Sequence, residues 1–180
     1  AVTPLQVISL RYFNPIGRDP KMRTGLQVRH PSHLLGRLIS AAETDEEFYI
    51  TGVDWPTRDG SGIRDYIHVW DLARAHVAAL CRFDEILSDT AGRSYQAINL
   101  GTGVGTTVRE FVSAFQTVIG RPLRIREAAR RPGDTAGAYT RSERARRLLD
   151  WKPELTIEDG IRHSLQWAAL RDTVLTGPHA

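Results

Sequence analysis

Three observations predict an α/β fold. Short apolar runs rich in β-branched residues alternate with longer segments whose apolar residues recur at three-and-four spacing. Glycine and proline stand at the joints between them. The 180 residues, 41% hydrophobic and 25% charged, are enough to bury a sizeable core. One α/β unit spanning residues 1–180 is the expected organisation, with no internal repeat and no low-complexity segment.

In order along the chain, "LQVISLRYF" is apolar on both faces, as a strand buried in a parallel sheet should be. "NPIG" is expected to stop it. After a charged, irregular stretch, Ser32 can cap a helix whose Leu34, Leu35, Leu38, Ile39 and Ala42 share a face. "FYIT" is a short strand. The strip "RDGSGIRDYIHVWDLARAH", Arg58 to His76, then leads into a single long helix carrying Val69, Leu72, Ala73, His76, Val77, Leu80, Phe83 and Leu87 on its apolar stripe. "SYQAINLG" is the next strand. Thr107 and Glu110 form a capping-box pair ahead of the stripe Val108, Phe111, Ala114, Phe115 and Val118, and Gly120 with Pro122 ends that helix. "LRIRE" reads as a strand and "RRPGD" as a turn. Helices around Ser142 to Leu149 and Thr156 to Leu170 are separated by "WKPEL", where Pro153 blocks continuation.

The lone cysteine, Cys81, excludes an internal disulfide and a cysteine-based zinc site, and on an apolar helical pattern it is expected to be a buried, inert thiol. No run of about eighteen apolar residues occurs, and no charged stretch precedes an apolar one at the N-terminus, so the expectation is a cytoplasmic protein with no membrane partner. The chain starts without Met and enters a strand almost at once, which reads as a piece of something longer. Net charge is +3, with arginines crowded between Arg121 and Arg147 and acids between Glu43 and Glu47. Those arginines fall on several short elements without interleaved aromatics, so a solvated face with a few specific anion contacts is expected and nucleic acid is not. His30 and His33 have a spacing that suits a shared metal, but no third ligand is placed to join them and Pro31 breaks the helix that would align them, so no metal is expected. His76, on the stripe, is expected to be a core histidine.

"NLGTGVGTTVREF" resembles a dinucleotide-binding turn at first sight. Thr106 occupies the sixth place counted from Gly101, where the fingerprint requires glycine or alanine, and no acid follows about 20 residues on, so a tight strand-to-helix turn is the better reading. Arg64 in "GIRD" and Arg131 in "RRPGD" each sit in a loop beside glycine and aspartate. A guanidinium presented in this way can fork onto phosphate oxygens, and two from distant loops can close on one diphosphate, with Asp134 accepting ribose hydroxyls. Pairing of both arginines with their neighbouring aspartates is the competing reading.

The succession "LRYFNPIG", "GVDWPTRDGSGIRDYIHVWDLARAH", "INLGTGVGTTVREFV", "RRPGD" and "LDWKPELTIEDGI" closely resembles the C-terminal half of the UDP-glucose 4-epimerases, within the extended short-chain dehydrogenase/reductase superfamily. The resemblance covers nearly the whole chain. It implies the late elements of an NAD(P)-binding Rossmann-type sheet together with the small lobe that grips a UDP-sugar, the N-terminal dinucleotide-binding half lying elsewhere. Carried over position by position, it places Tyr12 and Pro15 at the NAD nicotinamide and Asn14 on the substrate. Position 33, His33, falls in the substrate site, and Leu34 offers backbone at the phosphates. Tyr49, Ile50 and Thr51 form the uracil slot, Arg64 and Arg131 grip the diphosphate, and Asp134 takes the ribose. Tyr66 and His68 pack the loop that carries Arg64. Three positions depart from the family pattern: His33 stands where asparagine is usual, Ala138 where a larger residue is often found, and Arg141 where an acid is customary.

The same resemblance implies NAD as cofactor and interconversion of UDP-glucose and UDP-galactose through a 4-keto sugar. That chemistry requires a glycine-rich NAD loop and a Tyr-x-x-x-Lys base. Neither is in this chain: its lysines are Lys21 and Lys152, and neither has a tyrosine four residues earlier. No catalytic residue is therefore assigned, and the chain alone is not expected to turn over. Another sugar-nucleotide epimerase or dehydratase, and a non-catalytic interaction module, stand as alternatives.

Overall fold

A computed structural model describes residues 5–28, 31–88 and 94–176. Strand β1 (Val7–Tyr12) pairs in parallel with β6 (Tyr95–Leu100), from Val7 opposite Tyr95 to Tyr12 opposite Leu100. Joining two parallel strands requires a crossover, here occupied by the intervening helices and loops. β1 was expected to be buried on both faces; it is only half-buried, because among the described residues β6 is its sole partner. "NPIG" does not simply stop the strand. After Phe13 the chain changes partner, and β2 (Asn14–Ile16) pairs in parallel with β5 (Tyr66–His68).

Helix α1 (Leu34–Thr44) is capped by His33 and not by Ser32: His33 Nδ1 accepts the Gly36 N–H at 3.2 Å. β3 (Phe48–Thr51) pairs in parallel with β8 (Ile125–Ala128). A three-stranded patch has β4 (Ile63–Arg64) at its centre, antiparallel to β7 (Thr106–Thr107) and parallel to β9 (Gly137–Ala138). α2 (Val69–Cys81) stops at Arg82, and α3 (Phe83–Ser88) begins anew with Asp84 and Glu85 at the positive end of its dipole. The single long helix of the sequence reading is thus two. α2 buries Asp71, Leu72, Ala75 and Ala79 and leaves Val77 62% and Leu80 76% exposed. The alanines face inward because the helix rests closely on β5, β1 and α5 (Glu143–Leu149). His76 and Cys81, expected inside, are exposed. His76 Nδ1 lies 2.8 Å from the Leu72 carbonyl, one turn back.

α4 (Val108–Ile119) has the expected capping box, with Thr107 Oγ1 accepting from Glu110 N and Glu110 Oε2 accepting from Thr107 N, and it ends at Gly120 in the left-handed region. The C-terminal helix α6 (Ile157–Thr176) starts on an equivalent pair, Thr156 and Asp159.

Two apolar clusters form the core. Ile16, Leu38, Phe48, Ile50, Tyr66, Phe111, Phe115 and Ile161 make one; Ile67, Leu72, Ile98, Leu100, Leu149 and Trp151 belong to the other. Strand alternation assigns neighbouring residues of β5 to different clusters, Tyr66 to the first and Ile67 to the second. β5 is therefore the seam, and the loop ahead of it is anchored to both sides.

Candidate functional site

The loop from Val53 to Gly62 is cross-braced by its own polar side chains. Asp59 Oδ1 accepts from the Ser61 N–H and hydroxyl at 2.9 and 2.8 Å, and Asp59 Oδ2 accepts from Thr107 at 2.5 Å. Thr57 donates to the Ser61 carbonyl at 2.6 Å, and Arg58 pairs with Glu110. Arg64 leaves this frame on β4 and Asp65 follows, pointing to the opposite side.

Asp65 is fully buried. One carboxylate oxygen accepts from the Thr102 N–H and hydroxyl at 2.8 and 2.6 Å, and the other from Gly103 N–H and Thr140 N–H at 3.2 and 3.3 Å. The glycine turn after β6 thus wraps an internal carboxylate. Gly101 is required there, since a Cβ would lie 2.4 Å from Thr140 Cγ2 and 2.5 Å from Asp65 Oδ2. This structural role supports the tight-turn reading of "NLGTGVGTT". Asp71, also fully buried, accepts the N–H groups of Glu154 and Leu155 at 3.0 Å each and anchors "WKPEL". Asp65 entered the sequence reading only as a competing partner for Arg64, and Asp71 not at all.

With its neighbouring aspartate turned inward, Arg64 makes no ion pair among the described residues. Its Nη1 donates to the Ile63 and Ala136 carbonyls at 2.7 and 3.1 Å and its Nη2 to the Thr135 carbonyl at 3.5 Å. Carbonyls fix the guanidinium without neutralising it. Gly137, at φ +109°, makes room: a Cβ there would stand 1.9 Å from Arg64 Nη1. Arg131 behaves differently. Its Nε donates to Asp134 Oδ2 at 3.2 Å, the local pairing that competed with phosphate binding in the sequence. Asp134 is held below the usual carboxylate range, first by that hydrogen bond, then by the Arg131 N–H and the charges of Arg131 and Arg64. The fold has therefore brought Arg64, Arg131 and Asp134 within electrostatic reach of one another from loops some 70 residues apart in sequence.

The Asn14 N–H donates to the Asp65 carbonyl at 2.9 Å, which fixes Asn14 beside β5 with its side chain exposed. Tyr12 is 51% exposed and its ring lies 5.7 Å from that of His76, while Pro15 is exposed on β2. Tyr49 bonds Glu47 through its hydroxyl, and Thr51 is half-buried. Ile50 is buried, so only its backbone can face a ligand. The pairing of β3 with β8 delivers Thr51 and the Arg131 loop to the same end of that strand pair, where a cleft of about 500 Å³ opens among Val53, Asp54 and Glu127 to Arg130. Leu34 packs on the first core cluster. His33 is exposed as a residue, and partial desolvation of its ring lowers its pKa; with Nδ1 accepting from Gly36, the proton of the neutral ring sits on Nε2. No hydrogen bond or ion pair joins His33 to Arg64, Arg131 or Asp134 among the described residues. His30 lies outside the described residues, and no group of His, Cys, Asp or Glu able to hold a metal occurs among those described. Ala138 stands opposite Arg64 in the β4–β9 register, and Arg141 is exposed.

Tyr66 and His68, expected to pack the loop that carries Arg64, are buried, and their ring contacts run to the helices. Tyr66 lies 4.3 Å from Phe111 ring to ring, and burial pushes its hydroxyl up to about 12. His68 caps α2 by accepting the Trp70 N–H at 3.0 Å, and its Nε2 is 3.0 Å from His163 Nδ1.

The profile of the NAD dependent epimerase/dehydratase family matches residues 3–101, more than half of the chain. The chain belongs to this family. UDP-glucose 4-epimerase 3 of Oryza sativa subsp. japonica is 44% identical over 166 residues, which cover 91% of this chain and 43% of the rice protein. The crystal structure of UDP-glucose 4-epimerase from Stenotrophomonas maltophila, with bound NAD and formylated UDP-arabinopyranose, superposes with a TM-score of 0.83 at 36% identity, over 95% of this chain and 50% of that one. The enzyme from Bifidobacterium longum in complex with NAD+ and UDP gives 0.78 at 35% identity, over 94% and 49%. The chain thus spans about half the length of the relatives it matches. The family resemblance and Rossmann-type architecture read from the sequence both stand. No helix among the described residues is long and apolar enough to cross a membrane.

The residues here fit one end of NAD. Tyr12, the last residue of β1, and Pro15 on β2 are exposed at the carboxyl end of β1, where parallel sheets take their ligands. The pyrophosphate end does not fit, because the one glycine-rich strand-to-helix turn spends its amides on Asp65.

Proposed function

We propose that this chain is the UDP-sugar-gripping half of an NAD-dependent UDP-glucose 4-epimerase, acting as one α/β unit over residues 1–180. In this reading the glycine-rich NAD loop and the Tyr-x-x-x-Lys base come from a segment outside it. The observation that carries the reading is Arg64, a guanidinium fixed by three carbonyls and paired with no carboxylate among the described residues, next to the Arg131–Asp134 pair. A diphosphate needs two cations, and planar guanidinium forks suit it.

The family resemblance assigns the roles, and the positions of Arg64, Arg131 and Asp134 support them. Arg64 holds one phosphate in a set direction. Arg131 exchanges Asp134 for the second phosphate, and Asp134 is then free to accept from the ribose hydroxyls. The backbone of Tyr49, Ile50 and Thr51 borders the uracil. Leu34 offers its N–H at the start of α1, and His33 offers an Nε2–H donor there in place of an amide. Asn14 orients the hexose against the nicotinamide wall of Tyr12 and Pro15. NAD, when bound, supplies the hydride acceptor for oxidation at the sugar's C4. The residues of this chain bind and orient; none of them takes the proton.

Titration calorimetry of the full-length protein carrying this chain, with UDP, ADP and UDP-glucose, tests the reading. UDP and UDP-glucose should bind and ADP should not. Equal affinity for ADP would mean that the site does not read uracil and that the proposal is wrong.

A further inference from the structure

Within the UDP-binding reading just given, we propose that Trp55 and Asp54 are positioning residues that set where Arg131 stands, acting through Arg130. The Arg130 guanidinium lies flat on the indole, 3.6 Å from the ring centroid. Its Nε donates to Asp54 Oδ1 and its Nη2 to the Asp54 carbonyl, both at 2.6 Å. One side chain is thereby held by an aromatic face, a carboxylate and a backbone oxygen, which fixes both its plane and its distance. Arg130 spends its Nε–H and an Nη2–H on Asp54 and pairs its charge with that carboxylate.

The stack adds a side-chain bridge between two segments that strand pairing already brings together. On one side is the turn after β3, where the Gly52 N–H donates to the Ala128 carbonyl at 2.9 Å. On the other is the stretch after β8, whose next residue is Arg131. Gly52, at φ +72°, lies directly beneath the stack: a Cβ there would come 2.5 Å from Trp55 Nε1 and 3.1 Å from Arg130 Cγ. Trp55 is itself fixed, since its N–H donates to the Gly60 carbonyl at 2.8 Å and its carbonyl accepts from Thr57 N–H at 2.8 Å. The loop that fixes Trp55 is the one that runs into Arg64. A single braced loop therefore carries Arg64 directly and holds Arg131 through the Trp55–Arg130 stack, so the spacing of the two cations is set within one frame.

The test uses titration calorimetry with UDP and with uridine on the full-length protein carrying this chain. Trp55→Leu keeps apolar bulk and removes the π face; it should weaken UDP roughly threefold to thirtyfold, the range of a partly desolvated cation–π contact. Trp55→Phe should recover most of the loss, and uridine should be unchanged in both. In an Arg131→Ala background, Trp55→Leu should have no further effect on UDP, because the residue it positions is gone. Asp54→Asn, which spares the ring, should reproduce the UDP loss if the leucine variant does not fold. An undiminished Trp55→Leu effect in the Arg131→Ala background, an equal loss of uridine, or no recovery with phenylalanine would overturn the proposal. Loss of UDP on Arg131→Ala but not on Trp55→Leu or Asp54→Asn defeats this inference alone. No loss on Arg131→Ala defeats it together with the UDP reading.

Discussion

Replacing Arg64 by alanine should weaken UDP binding roughly tenfold to a hundredfold, the loss of one charge-assisted contact of about 1.5–3 kcal/mol. The structure adds a second effect. Arg64 Nη1 and Nη2 also tie the Ile63, Ala136 and Thr135 carbonyls, and so hold β9 against β4. Those bonds are half-exposed, so deleting them should cost about 1 kcal/mol of stability, a fall of about 2–4 °C in Tm for a chain of this size. The two effects are separated by the ligand. Uridine lacks the diphosphate, so its affinity should change by less than about threefold, while UDP falls by the full factor. Arg64→Lys should recover only part of the UDP affinity, because an ammonium keeps the charge but loses the fork and cannot tie three carbonyls in one plane. Calorimetry with both ligands, alongside a thermal melt, reads all of this. If uridine weakens as much as UDP and Tm falls sharply, Arg64 is a strut for β9 and the diphosphate reading is refuted.

Asp65→Ala should destabilise the protein by about 3–5 kcal/mol, since it strands four donors around a buried site; a urea melt with Cm within error of the parent would show that the turn closes without it. His68 is lowered from 6.5 to about 4, by burial first and then by the nearby His163. A group depressed in the folded state binds its proton more readily when unfolded, so stability should be full above about pH 6.5 and lost progressively as pH falls toward 4, by about 2 kcal/mol. His68→Asn, which can still cap α2, should flatten Tm across that window; an unchanged slope would assign the titration elsewhere. The chain by itself, with NAD added, should give no interconversion of UDP-glucose and UDP-galactose; turnover above background, in material free of host epimerase, refutes the assignment of the base to another segment.

Where local chemistry decides the structure, the sequence was legible. The Thr107–Glu110 box, the Gly120 stop and the strand "FYIT" are all set by residues within one turn of each other, and all stand as expected. The errors in α2 share one cause: burial assigned from a helical stripe alone. α2 offers two possible apolar faces, one with Val77 and Leu80 and one with Ala75 and Ala79, and periodicity favours the bulkier. Packing on β5, β1 and α5 selects the alanine face because it allows a closer approach, leaving His76 and Cys81 outside. The Asp65 and Asp71 carboxylates were missed because their donors are backbone N–H groups some 37 and 83 residues away, which no local pattern signals. In the site, the residue types were legible but their pairing was not. Adjacent aspartates looked equivalent partners for Arg64 and Arg131, and only strand alternation turns Asp65 away from the first while the turn leaves Asp134 beside the second.

That difference divides the labour between the two cations. Arg64 is pre-set: carbonyls hold its plane and nothing must be displaced for an anion to reach its charge. Arg131 and Asp134 form an exposed pair of the kind worth about 0–1 kcal/mol, so opening it costs little when a phosphate arrives. The exchange serves both partners, since a carboxylate released from Arg131 is an acceptor suited to ribose hydroxyls. Under the proposed function, a fixed cation sets the direction of the diphosphate, and a yielding pair reports whether the ligand brings both a second phosphate and a ribose. UDP satisfies both demands, and inorganic pyrophosphate satisfies only one. Discrimination between these two ligands should therefore fall in Asp134→Ala while pyrophosphate affinity rises, because Arg131 has lost its competitor. Calorimetry with UDP and pyrophosphate measures that ratio directly, and a pyrophosphate affinity that falls on Asp134→Ala would show that Asp134 holds Arg131 in place rather than competing for it.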